Sequence, residues 1–188
     1  IMEERYIRRD DYITKYLKEM EVFAKNNNVP IVRKQTLSVI LNLVKEKVEE
    51  KEKNKREIRI LELGTAIAYS SINMASISNN IYIDTIEKSK KMYDIGKNNI
   101  EKLDICESNV KNRINMYLGD AFKLLQENIE DETGKKVDIC NNKYDIVFID
   151  ANKSKYLDYF NICKNLLNDN GIIILDNVLF AGYVLRRL

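Results

Sequence analysis

The sequence contains no histidine. That absence excludes a Ser-His-Asp triad, a histidine-ligated zinc or iron site, and imidazole acid–base chemistry. A catalytic base in this chain is therefore a carboxylate, a lysine, a tyrosine or a cysteine. Cysteine is scarce as well: Cys106, Cys140 and Cys163 are odd in number, scattered and without CxxC spacing. They form neither a disulfide framework nor a structural zinc site, and a reducing cytoplasm is the expected setting. No apolar run reaches the roughly 18 residues of a membrane helix and no signal peptide is visible, so no membrane association is expected. An excess of one charge is missing too. The 31 Lys+Arg and 29 Asp+Glu leave a formal net charge of +2. This does not announce a nucleic-acid binder, though a local basic patch stays open.

What is present suffices for a single domain. The 188 residues are 45% hydrophobic and 32% charged, enough to bury one sizeable core. Residues 1–57 read as an N-terminal helical part and 58–188 as an α/β core. Ile13, Tyr16, Leu17, Met20 and Phe23 recur at helical spacing within Tyr6–Lys25. Asn26-Asn27-Asn28 ends that helix, and the single proline, Pro30, pushes the residue before it toward extended backbone. A second helix carries Leu37, Ile40, Leu41, Val44 and Val48 on one face. The mixed-charge run Lys45–Arg59 reads as a solvated helix end and loop rather than a nucleic-acid patch, because Glu49, Glu50, Glu52 and Glu57 dilute its positive charge.

From Ile58 short apolar runs alternate with amphipathic stretches. Strands are expected at Ile58–Leu63, Ile81–Ile86, Ile114–Leu118, Tyr144–Ile149 and Ile172–Leu175. Helices are expected at Tyr69–Ser78, Ser89–Leu103, Ala121–Ile129 and Tyr156–Leu167. Residues 130–143 read as a polar surface loop and Asn168-Asp169-Asn170-Gly171 as a turn. Alternation of this kind gives a mainly parallel sheet with helices on both faces, its strands apolar throughout because both faces are covered. Ligands of such sheets bind beyond the carboxyl ends of the strands.

Those ends carry Glu62-Leu63-Gly64, Glu87, Gly119-Asp120, Asp150 and Asp176-Asn177. An acid at every end points to a polar or cationic ligand, or to a metal. The first loop, Glu62 to Ser70, has one glycine where a dinucleotide fingerprint has three. A pyrophosphate needs close backbone approach at several points. One glycine with an acid two residues before it suits a positively charged ligand without phosphate, such as S-adenosylmethionine (SAM). Glu87 is placed to accept hydrogen bonds from ribose hydroxyls, a role shared with NAD sites. Asp150, Asp176 and Asn177 are hard oxygen ligands that suit Mg²⁺, Mn²⁺ or Ca²⁺ and not zinc. Lys153 follows Asp150 by three positions. A like charge beside it would disfavour its ammonium form and let it take a proton from a substrate hydroxyl. An ordinary surface lysine is the competing explanation.

Ile60 to Ser70 resembles the SAM-binding loop of the cation-dependent O-methyltransferases, the group containing the catechol and caffeoyl-CoA enzymes. Phe148-Ile149-Asp150-Ala151-Asn152-Lys153-Ser154-Lys155-Tyr156 resembles the group's metal and lysine segment, and Ile174 to Gly182 its second metal segment. The likeness runs from about Tyr12 to Gly182. It implies a Rossmann-like SAM-methyltransferase fold. It also implies Glu62, Gly64 and Ser70 at the methionine end of SAM, Glu87 at the ribose, Asp120 and Ala121 at the adenine, and the Val32 backbone against the donor. Asp150, Asp176 and Asn177 would hold the metal, with Asp150 also near SAM, and Lys153 would be the base. Val29-Pro30-Ile31-Val32, Gly64-Thr65-Ala66-Ile67 and Asn177-Val178-Leu179-Phe180 are most similar to members that methylate 5-hydroxyuridine in bacterial tRNA. Arg5, Arg8, Arg9, Arg33, Lys34, Arg186 and Arg187 are then candidate tRNA contacts, and a homodimer is expected.

Two departures stand out. Ala68 occupies the position of a usual glycine, which is tolerable at helical φ and costly at positive φ, with reduced donor affinity as the consequence. Family members also end in an antiparallel pair of strands, for which the sequence stops too early, so that hairpin is expected to be missing. Competing functions are methylation of a small catechol-like molecule, a nucleotide-dependent oxidoreductase, and a non-catalytic SAM- or RNA-binding module.

Overall fold

The computed structural model describes residues 2–52, 56–105, 109–127, 129–151, 153–179 and 182–187, and of these the side chains except 2–11, 52, 104–105, 153, 177–179 and 182–187. Two helices, α1 (Met2–Asn26) and α2 (Lys34–Glu52), precede the sheet. Then follow β1 (Ile58–Leu63), α3 (Tyr69–Ala75), β2 (Ile81–Glu87), α4 (Lys90–Glu101), β3 (Ile114–Leu118) and α5 (Ala121–Leu124). The chain continues through β4 (Tyr144–Ile149), α6 (Tyr156–Cys163), β5 (Leu167–Leu179) and β6 (Gly182–Arg187). The sheet order is β3-β2-β1-β4-β5-β6. β1 to β5 are parallel, and the order reverses between β1 and β4, which puts the switch point beside the Gly64 loop.

Strand alternation divides the core. Ile58, Ile60, Ile83, Ile146, Phe148 and Ile174 pack beneath α1 to α4. Leu61, Leu63, Val147, Ile149 and Ile173 pack on the opposite face against residues of α5 and α6. No helix among the described residues is long and apolar enough to cross a membrane.

Four expectations change. β6 pairs antiparallel with β5, Ile174 opposite Leu185, so one antiparallel edge strand stands where the C-terminal hairpin was expected to be missing; Tyr183-Val184-Leu185 are strand-favouring residues. The Asn168–Gly171 turn is instead a bulge inside β5. The pairing passes from Tyr144↔Leu167 to Ile146↔Ile172, leaving Asp145 opposite four residues. Asn170 there adopts φ 62°, and Asn168 donates to the Asp145 carboxylate at 2.9 Å. The segment 130–143 is not simply a surface loop, since Val137 and Ile139 are fully buried. Finally α5 stops at Leu124, well before Ile129.

Candidate functional site

Register decides which strand-end acids meet. Ile146 pairs with Ile172 and Phe148 with Ile174. Asp150 and Asp176 continue those rows, so the two carboxylates follow one sheet face on neighbouring strands about 4.8 Å apart. Both line a cavity of about 550 Å³, walled also by Gly64, Glu87 and Gly119 from the other strand ends. That size suits a small-molecule site. The Tyr156 hydroxyl donates to the Asp176 main-chain oxygen at 2.7 Å. Its pKa is pushed up to about 12, by burial first and then by the charges of Asp150 and Asp176, so it stays a neutral donor between the two strand ends.

The loop after β1 is shaped by backbone geometry. Gly64 has φ +97°, and a Cβ there would lie 2.9 Å from the Asp150 carbonyl carbon. The tips of β1 and β4 therefore approach as only glycine allows. Ala66 and Ala68 also take positive φ, 47° and 67°. For Ala68 this is the costly case. The Ala66 amide donates to Glu87 Oε2 at 2.7 Å and the Ser89 amide to Oε1 at 2.7 Å. Glu87 is thus fixed at the cavity wall, with carboxylate lone pairs left to accept hydroxyl hydrogens.

Glu62 and Ser70 lie elsewhere. Glu62 shares the sheet face of Ile60, which carries its carboxylate beneath α3. There it is fully buried and accepts hydrogen bonds from Ser70, Ser71 and, at 2.7 Å, Thr85. Burial pushes its pKa up against the opposing pull of the three hydroxyls. Neither Glu62 nor Ser70 is among the cavity's lining residues. Val32 is buried, and its neighbours Pro30, Ile31 and Arg33 form the wall instead.

On the remaining side Asp120 caps α5, accepting from the Phe122 amide at 2.9 Å, and pairs with Lys88 at 2.9 Å. The hydrogen bond from Lys88 holds its pKa below the usual carboxylate range. Asp120, Ala121 and Lys88 line the cavity together with Tyr159 and Lys155. Lys153 opens the 3-10 turn Lys153–Lys155, and Asn177 follows Asp176 on β5. The side chains of both fall outside the described residues, as do those of Arg5, Arg8, Arg9, Arg186 and Arg187. Of the remaining tRNA candidates, Arg33 lines the cavity, whereas Lys34 pairs with Glu21 at 2.8 Å.

Among the described residues no group of three or more Cys, Asp or Glu side chains is placed to hold a metal. Two carboxylates on one wall nevertheless fit a hard divalent cation whose other ligands are an amide oxygen, water or substrate. Tyr156, Tyr159, Lys155 and Lys88 escaped the sequence reading. The aromatic spacing Tyr156, Tyr159, Phe160 directly after the Asp150 segment was the available signal for the first two.

Comparisons with known proteins bear on the chain as a whole. Residues 12–187 match a family model described as O-methyltransferase. The chain is 28% identical over 165 residues to a caffeoyl-CoA O-methyltransferase of Populus kitakamiensis, covering 86% of this chain and 59% of that one. It is 31% identical over 127 residues to a catechol O-methyltransferase of Niastella koreensis, covering 67% and 52%. The chain thus spans between half and three fifths of the length of these curated relatives. A crystal structure of an O-methyltransferase from Bacillus cereus in complex with SAH is 27% identical with a TM-score of 0.68, covering 90% of this chain and 72% of that one.

Proposed function

Because the chain belongs to the O-methyltransferase family, we propose that it transfers the methyl group of SAM to a hydroxyl oxygen held beside Asp150 and Asp176. The observation that carries this proposal is the convergence, in one cavity, of two in-register carboxylates with the Gly64 turn and the anchored Glu87. Gly64 lets the donor approach the backbone, Glu87 receives the ribose hydroxyls, and Asp120 with Ala121 borders the adenine. Asp150, Asp176 and Asn177 would hold Mg²⁺, or Mn²⁺ or Ca²⁺, which when bound would supply Lewis acidity at the acceptor hydroxyl. Lys153 takes the acceptor's proton as its oxygen bonds to the methyl carbon and the sulfur–methyl bond breaks, leaving SAH. Much of the acceleration comes from holding donor and acceptor in line.

For the acceptor we favour 5-hydroxyuridine in tRNA, whose 5-hydroxyl and 4-keto oxygens are neighbours. The Val29–Val32 and Asn177–Phe180 wording supports it. So does Arg33, a cation at the cavity wall with no ion pair among the described residues. A small catechol-like acceptor is the second reading, favoured by the names of the relatives. The test is label transfer from radioactive SAM with Mg²⁺ to hydroxyuridine tRNA or to a catechol, with and without EDTA. We expect labelled tRNA, lost with EDTA and with Lys153→Ala. Label in the catechol alone overturns the tRNA reading, and transfer indifferent to EDTA overturns the metal's role.

A further inference from the structure

A second cavity, of about 400 Å³, lies along the outer edge of β3, between α4 and the segment after α5. It shares no lining residue with the strand-end cavity. Its ionisable lining is Lys97, Lys111, Lys135, Glu101 and Tyr93. Glu101 is already paired with Lys111 at 2.7 Å. Lys97 and Lys135 form no ion pair among the described residues. Lys135 is half-buried, stands 4.2 Å over the Tyr117 ring, and has one long hydrogen bond of 3.4 Å, to the Met116 carbonyl. Burial lowers its pKa, and Lys97 lowers it further against the pull of Asp131 and Asp84.

Those two acids are already engaged. Asp131 accepts from the Leu118 amide at 2.9 Å and from the Thr133 amide and hydroxyl at 2.8 and 2.6 Å. Asp84 accepts from Tyr144 at 2.7 Å and Asn115 at 3.2 Å. The concave site therefore holds one half-buried ammonium, that of Lys135, short of hydrogen-bond acceptors, beside the exposed Lys97, whose ammonium stands 5.9 Å from the Tyr93 ring centroid. Ammonium groups in such a place are satisfied by an anion with several acceptor oxygens. Chloride offers no such array; a phosphate group does.

We propose that this cavity is a binding site for a phosphate-bearing ligand, held by Lys97 and Lys135. The proposal is independent of methyl transfer. Its test is calorimetric titration of the full chain with inorganic pyrophosphate at fixed ionic strength. Saturable binding is expected. It should weaken by at least about tenfold in Lys97→Met/Lys135→Met, which removes two charge-assisted contacts and keeps most of the stem packing. Lys136→Met, at an exposed neighbour that does not line the cavity, should bind like the wild type. A second measurement needs no variant: limiting acylation of amines, read by peptide mass spectrometry, should show Lys135 protected by pyrophosphate. A competing short oligouridylate identifies the natural phosphate as part of a nucleic-acid backbone; lack of competition identifies it as a small free phosphate. Absence of saturable binding, binding unchanged in the double variant, or Lys135 labelled equally with and without pyrophosphate overturns the proposal.

Discussion

Replacing Gly64 by alanine tests the closest backbone approach in the site. Two separate costs arise. At φ +97° an L-residue is strained, by about 1–2 kcal/mol on the scale of left-handed backbone. The added methyl also lies 2.9 Å from the Asp150 carbonyl carbon and 3.3 Å from the Ala151 amide nitrogen. Overpacking against unyielding atoms costs a further 1–3 kcal/mol, roughly. Here the neighbours are main chain, so no side chain can swing away. Reduced freedom of the unfolded chain returns about 0.4–1 kcal/mol. The balance is a loss of roughly 1–5 kcal/mol, or a fall in Tm of about 2–20 °C for a chain of this length. The strain falls on Asp150, so SAH binding should weaken by about tenfold or more in calorimetry. Gly134→Ala is the control. Gly134 has φ +82°, but its Cβ would meet only Glu130 Oε2 at 4.0 Å. It should bear the dihedral cost alone and bind SAH normally. A Gly64→Ala protein that melts within a degree of the wild type and binds SAH equally well refutes the contact between β1 and β4. Equal effects from both substitutions would refute the clash as its cause.

Three further outcomes follow from described contacts. Glu62 has a raised folded-state pKa, so it holds its proton more tightly folded than unfolded; its contribution is fully present below the unfolded value and is lost as pH rises through the folded one. From about pH 4.5 upward, Tm of the wild type should therefore fall relative to Glu62→Gln, and parallel Tm–pH curves would contradict this. Ala68 sits at φ 67° and is fully buried. Glycine there relieves about 1–2 kcal/mol of strain and gives up about 0.8 in methyl burial and a similar amount in chain entropy, so Ala68→Gly should shift Tm by less than about 3 °C while Ala68→Val lowers it clearly. Cys163 is buried with its thiol pushed up to about 12, so peptide mapping after treatment with a thiol reagent at pH 8 should find it unmodified until the chain unfolds.

Much of the sheet was legible because its strands are short apolar runs bounded by polar residues. β1, β3 and β4 begin and end where the residue pattern predicts. β5 was less legible. Asn168 and Gly171 read as a turn locally, but pairing with β4 continues on either side, and Asp145 anchors the excess residues through Asn168 while also holding Lys51 at 2.5 Å. In the site, acids at strand ends were visible from sequence, but how far each stands along the paired rows depends on register. Glu62 pairs with Phe148 inside the sheet and so lies beneath α3, whereas Asp150 and Asp176, on the same face, follow the last paired rows and stand at the cavity. Tyr156 illustrates another limit. Its partner is the main chain of a residue twenty positions away, and a main-chain oxygen leaves no mark in composition. The burial of Val137 and Ile139 was hidden by the polar residues around them.

The knot at Glu62 apportions stiffness around the strand-end cavity. One carboxylate fastens the start of α3 to β1 and, through Thr85, to β2, so the intervening turn is moored at both ends. The facing wall, Pro30 to Arg33, belongs to the link between two outer helices and is not moored to that carboxylate. A molecule entering or leaving the cavity would therefore meet on that side a wall whose position depends on how α1 and α2 pack on the core, through the buried Val32 and its neighbour Ile31.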